Sequence, residues 1–68
     1  MITPVQGGWE AMCNLCPRFV ERWNTERAAQ AAVVWHVYEA HADYWQSIVG
    51  SYEPRDPHPA MIFGAKRL

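Results

Sequence analysis

The sequence predicts a small α+β fold in which a short β-hairpin packs on one long α-helix and an extended C-terminal tail follows. Three observations predict this arrangement. Two short runs with aromatic residues flank a Cys-x-x-Cys segment, residues 26–49 contain neither Gly nor Pro, and Pro54, Pro57 and Pro59 follow. We therefore expect residues 1–50 to form the folded domain and residues 51–68 to form a Pro-containing extended tail.

The chain length of 68 residues allows one hydrophobic core. A domain of this size buries only about 60% of the surface that its unfolded chain exposes, so it usually needs a disulfide, a metal ion or a partner for stability. Two cysteines are too few for a disulfide framework. Neither a secretion signal nor a membrane span is evident, so we expect the protein in the cytoplasm.

The predicted hairpin comprises residues 9–12 and 19–23, with Gly7-Gly8 as a turn before it. The predicted helix begins after Asn24-Thr25, because either residue can cap a helix and Glu26 then places an acid in the first turn. Gly50 stands where a left-handed helix cap is common, and Pro54 soon follows.

Four residues have the types and spacing of metal ligands. Two residues separate Cys13 from Cys16, and four separate His36 from His41. Two thiolates and two imidazoles form a standard tetrahedral set for zinc, so we expect one structural Zn²⁺ on these side chains. An ideal helix would hold the two histidines about 140° apart, and we expect a local widening of π type near residues 37–40 to bring them together. The alternatives are a Cys13–Cys16 redox pair, or cysteines and histidines with no metal at all.

The order Cys-x-x-Cys, hairpin and helix with two His resembles Cys2His2 zinc fingers. It looks more like short uncharacterised zinc-finger-like proteins of actinobacteria and their phages. The resemblance covers roughly residues 9–45 and rests on the four ligand positions and Trp35. It implies a ββα fold with a zinc knuckle, in a protein that is phage-encoded or a minor component of a larger assembly. If the protein is phage-encoded, we expect it within a virion or other assembly.

A second apolar stripe runs along the predicted helix, away from the histidines. Its main members are Val34, Tyr38, Trp45 and Val49, at nearly heptad spacing. One hairpin cannot cover both faces of the helix. The stripe could be covered by residues 61–63 of the tail folded back on Trp45 and Val49, by a second copy, or by another protein.

These features predict a small protein-interaction, accessory or regulatory module that acts on a protein partner or as a homodimer. The alternative is nucleic-acid binding through Arg18, Arg22 and Arg27, but residues 28–53 carry three acids and no Lys or Arg, opposite to the usual basic footprint. Four ligands would leave a zinc ion no open position for catalysis. We therefore expect neither an enzyme nor a small-molecule substrate, and no membrane association.

Overall fold

The computed structural model describes all residues from Met1 to Leu68 and shows a small α+β fold. A three-stranded antiparallel sheet comprises β1 (Ile2–Val5), β2 (Gly8–Cys13) and β3 (Cys16–Trp23), in the order β1-β2-β3. Two helices follow, α1 (Glu26–Ala40) and α2 (Ala42–Ile48), and then a 3₁₀ turn over Pro59–Met61. The α+β class and the hairpin are confirmed. None of the helices is both long and apolar enough to cross a membrane.

The first strand was not predicted from the sequence. It pairs with β2 across a two-residue turn, in which Gly7 has a φ of +84°, the conformation that the third position of a type II turn requires. Pro4 lies within β1, and proline is tolerated only at a sheet edge because it donates no N–H. The outermost position of β1 therefore explains how a segment with this proline can be a strand.

The sheet packs one face on α1. Trp9, Ala11 and Cys13 alternate along β2 on that face, and Ala11 and Cys13 are buried. Small side chains allow α1 to approach the sheet closely. The core cluster consists of Ala11, Trp23, Ala28, Ala29 and Ala32, with Ile2, Trp9, Phe19, Val33, Ile62 and Ala65 packed around it.

The helical segment differs from the single long helix of the prediction. Thr25 caps α1, and its Oγ1 accepts a hydrogen bond of 3.1 Å from the Ala28 N–H. The helix is interrupted at His41, whose φ of −128° and ψ of 55° are not helical. Backbone hydrogen bonds continue on both sides, from His41 N to Val37 O and from Trp45 N to His41 O. A one-residue break therefore replaces both the continuous helix and the expected π-type widening.

The C-terminal residues return to the sheet rather than extending away from it. The side chain of Asn24 donates to Gly64 O and accepts from Lys66 N, at 2.9 and 2.7 Å. Arg67 forms a β-bridge with Trp23. The idea that residues 61–63 cover Trp45 is wrong, because Ile62 packs on the core cluster while Met61 and Phe63 are exposed.

Candidate metal centre

Three of the four predicted ligands meet in one cluster. Donor atoms of Cys13, His36 and His41 all lie within 4.8 Å of one another. Cys13 ends β2, His36 lies in the last part of α1, and His41 is the residue between the helices. These three side chains are close enough to hold a metal ion.

The two histidines of this cluster lack the hydrogen-bond partners that buried polar groups normally have. Nε2 of His36 and Nε2 of His41 are both inaccessible to solvent and make no hydrogen bond. Such orphaned atoms are rare in folded proteins because the lost hydration is not replaced. The Cys13 sulfur accepts a hydrogen bond of 3.4 Å from the Leu15 N–H. A cation among these donors would satisfy both imidazoles.

The surroundings of His36 favour its neutral form, which is the form that binds metal. Its ring stacks on Phe19 with centroids 4.0 Å apart, and it meets the His41 ring edge to face at 5.1 Å. Burial lowers the pKa of His36 below its ordinary value of 6.5, and the neighbouring His41 lowers it further, whereas Glu21 and Glu39 act in the opposite direction. The net effect keeps a lone pair available for a ligand.

Cys16 stands apart from the cluster of three. It is the cross-strand partner of Cys13 at the start of β3, beside a register irregularity between Met12 and Cys13. Directly opposite residues of an antiparallel pair have neighbouring side chains. Both cysteines are free thiols, Cys13 buried and Cys16 partly exposed.

The helix break that brings the histidines together has only a weak trace in the sequence. No Gly or Pro marks it, and Asp43 in the first turn of α2 is the one feature typical of a helix start. Because His41 leaves the helical path, the separation of about 140° expected on an ideal helix does not apply. Tertiary structure therefore determines this part of the site.

The predicted partner face lies across both helices. Val34, Tyr38 and Trp45 are half-buried and Val49 is 43% exposed. The rings of Tyr38 and Trp45 meet edge to face at 5.7 Å, so the stripe continues across the break. Sequence reasoning missed Trp35 as a member, although it meets Tyr38 edge to face at 5.5 Å.

The three arginines proposed for nucleic-acid contact are all exposed. Arg22 pairs with Glu10 on the neighbouring strand at 3.0 Å, which reduces the positive charge of this region. Arg18 and Arg27 form no ion pair. The nucleic-acid alternative stays a prediction.

Comparison with known proteins provides no further guidance, since no protein-family model, curated protein or solved structure matches this chain.

Proposed function

We propose that this chain is a small zinc-binding protein that acts as a protein-interaction or accessory module. In this proposal one structural zinc ion is held by Cys13, Cys16, His36 and His41. The ion clamps the end of the sheet to the junction of α1 and α2. The face formed by Val34, Tyr38, Trp45 and Val49 then contacts a partner.

The observation that carries the metal assignment is the pair of buried, unpartnered imidazole nitrogens beside the Cys13 sulfur. One thiolate and two imidazoles are borderline to soft donors, which favour zinc over calcium or magnesium. Cys16 is the best fourth donor because it is paired with Cys13 across a two-residue turn. Two thiolates also neutralise the ion, and this lowers the cost of burying its charge.

A structural role for the metal is supported by the small size of the core. Seven residues are buried, and five of them are alanines. No large side chain is fully buried, so hydrophobic burial alone provides little stabilisation. A metal that joins three separate elements would supply much of what is missing.

The interaction role is supported by surface that the chain leaves uncovered. Its accessible surface is 4861 Å², whereas a compact protein of 7.8 kDa should expose about 4,400 Å². Helix α2 has no buried residue, and Tyr44, Ile48 and Val49 are between 43% and 60% exposed. Such apolar surface beside aromatic residues is typical of interaction sites.

Native mass spectrometry of the purified chain tests the metal assignment. We expect one zinc ion per chain, and loss of the ion in Cys13→Ser and His41→Asn variants. His58→Asn is the matched control, because His58 lies outside the cluster. Replacement by Co²⁺ counts the sulfur ligands, since thiolate-to-cobalt charge-transfer absorption should fall by about half in Cys16→Ser. A chain that carries no zinc and melts at the same temperature with and without chelator would contradict the proposal.

Affinity capture in the producing organism tests the interaction role. Wild-type chain should retain a partner that is lost both on chelation and with Val49→Glu, which places a charge on the proposed face. Val20→Glu is the matched control, since it makes the same change at a similarly exposed valine on β3. A capture pattern identical for wild type and Val49→Glu would argue against this face.

A further inference from the structure

A Pro-rich segment of the chain lies across its own aromatic surface. We call residues 51–59 the strap, and we call Trp35, Tyr38 and Trp45 the aromatic ridge. The strap leaves α2 after Gly50, whose φ is +103°, and ends at the Pro59–Met61 turn. Between these points it has neither helix nor strand structure.

Two indole groups of the ridge hold the backbone of the strap. Trp45 Nε1–H donates to Tyr52 O at 2.7 Å, and Trp35 Nε1–H donates to Asp56 O at 2.8 Å. The ring of His58 also stacks on Trp35, with centroids 3.7 Å apart. Both hydrogen bonds go to main-chain carbonyl groups, which any residue can offer, and the stacking of His58 on Trp35 adds one side-chain contact.

The strap has the composition of a polyproline II segment and, beyond a bend at Arg55 and Asp56, the conformation of one at His58. Glu53, Asp56 and His58 each precede a proline, which restricts them to extended or polyproline II conformations. His58 has a φ of −55° and a ψ of 146°, close to the polyproline II values of about −75° and +145°. This helix has no internal hydrogen bonds, so its carbonyls are free to accept bonds from a protein surface.

The strap fills only part of the surface available to such a segment. A groove of about 520 Å³ remains beside it, lined on the helices by Val34, Trp45 and Val49 and on the strap by residues 52–55. Pro54 is half-buried in this groove, whereas Tyr52 is 76% exposed. Glu53, Arg55 and Asp56 form no ion pair, so few side-chain contacts hold the strap in place.

We propose that the aromatic ridge binds a proline-rich segment of a partner protein, and that the strap is its intramolecular occupant. Aromatic grooves with indole donors are suited to polyproline II ligands, because such ligands are already extended and lose little entropy on binding. This inference rests on the proposed interaction function and names its partner class. An incoming segment makes the same two indole hydrogen bonds after the strap moves aside.

The anchoring of the strap favours a different protein over a second copy as the source of this segment. Beyond the strap, the chain is tied to the sheet end by the Asn24 hydrogen bonds to Gly64 and Lys66, and by the bridge between Trp23 and Arg67. If two copies exchanged straps, these contacts of the C-terminal segment would have to break, or one chain would have to pass through the loop that they close. Displacement of the strap by a free segment leaves them intact.

A peptide titration monitored by NMR tests the proposal. The probe is a synthetic peptide with the sequence of residues 51–60, SYEPRDPHPA. Added to the full zinc-loaded chain, it should shift the indole N–H signals of Trp35 and Trp45 in a saturable way. The indole signals of Trp9 and Trp23 provide internal controls, since Trp23 donates to Glu21 within the sheet.

Two matched peptides and one chain variant sharpen the test. Replacement of the half-buried Pro54 and Pro59 by Ala in the peptide should abolish binding, whereas replacement of the exposed Pro57 should preserve it. A Pro54→Ala/His58→Ala chain, with its strap weakened, should bind the unmodified peptide at least about tenfold more tightly, because the intramolecular competitor is at millimolar effective concentration. If this variant does not fold, titration of the wild-type chain with the unmodified peptide and the two substituted peptides tests the proposal.

The proposal is overturned if neither ridge signal moves at about 5 mM peptide, above the expected effective concentration of the strap, or if the Pro54/Pro59-substituted peptide binds equally well. It is also overturned if the weakened-strap variant forms a dimer by native mass spectrometry, since a second copy would then be the occupant. Loss of zinc with peptide binding retained would refute only the metal assignment. Zinc retained without peptide binding would refute only this inference.

Discussion

The imidazole rings of His36 and His41 meet edge to face at 5.1 Å, and the Nε2 atom of each is buried without a hydrogen-bond partner. Two imidazoles that share a buried space repel each other when both are protonated and leave unsatisfied atoms when both are neutral. A cation bound between them removes both problems. The stability of the fold should therefore depend on metal.

Chelation should lower the melting temperature of the chain by more than about 10 °C. A ligand at a hundredfold excess over its dissociation constant adds about 2.7 kcal/mol, and each kcal/mol shifts the melting point of such a small domain by about 4–8 °C. Thermal unfolding followed by circular dichroism measures the shift. His58→Asn should show the same dependence on chelator, and identical melting curves with and without chelator would exclude a structural metal.

The metal-free chain should lose stability as the pH falls below about 6.5. The pKa of His36 is lowered in the fold, chiefly by burial and then by His41, so the unfolded chain binds a proton more readily than the folded chain. Stability is thus retained above the ordinary His pKa of about 6.5 and is lost progressively as the pH falls through the lower pKa of folded His36. Urea unfolding at several pH values should show this decrease in the free energy of unfolding as the pH falls. The free energy of unfolding should depend less on pH in His36→Gln. An unchanged pH dependence in that variant would show that a group other than His36 is responsible.

Asn24→Ala should destabilise the chain by about 1–2 kcal/mol. The Asn24 side chain makes two hydrogen bonds to the C-terminal segment, to Gly64 O and from Lys66 N, and each such bond contributes about 0.5–1.5 kcal/mol. Urea unfolding measures the loss, and hydrogen exchange at residues 64–68 should accelerate. Asn14→Ala, at an exposed turn position, is the matched control. Equal stability of the two variants would show that the two Asn24 hydrogen bonds contribute nothing to stability.

Gly8→Ala should lower the free energy of unfolding by more than about 2 kcal/mol, whereas Gly7→Ala should lower it by about 1 kcal/mol. A Cβ on Gly8 would lie 2.3 Å from the Trp23 carbonyl oxygen, so the backbones of β2 and β3 would have to separate. A Cβ on Gly7 meets nothing within 4 Å, and only the φ of +84° is unfavourable. Chemical denaturation of both variants measures which of them is the less stable. A Gly7 variant less stable than the Gly8 variant would contradict the packing argument.

Local patterns were sufficient to predict several elements. The aromatic runs around Cys13 and Cys16 indicated the hairpin, and Thr25 before a long stretch without Gly or Pro indicated the start of α1. These features depend on neighbouring residues, through turn geometry, capping and backbone preference. The choice of Cys13, His36 and His41 as ligands also needed only residue type and spacing, and these three side chains meet in the fold.

Long-range contacts decided the remainder. Strand β1 contains Pro4 and is stabilised by pairing with β2, and the C-terminal segment is held by Asn24, which is 42 positions before Lys66. No Gly or Pro in the sequence indicates the helix break at His41. By themselves, residue types and spacing determined the α+β class and the chemistry of the donor set, since local preference and ligand type do not depend on distant parts of the chain. Tertiary structure alone decided where the helix breaks and where the strap lies, because the contacts that stabilise these features join residues far apart in the sequence.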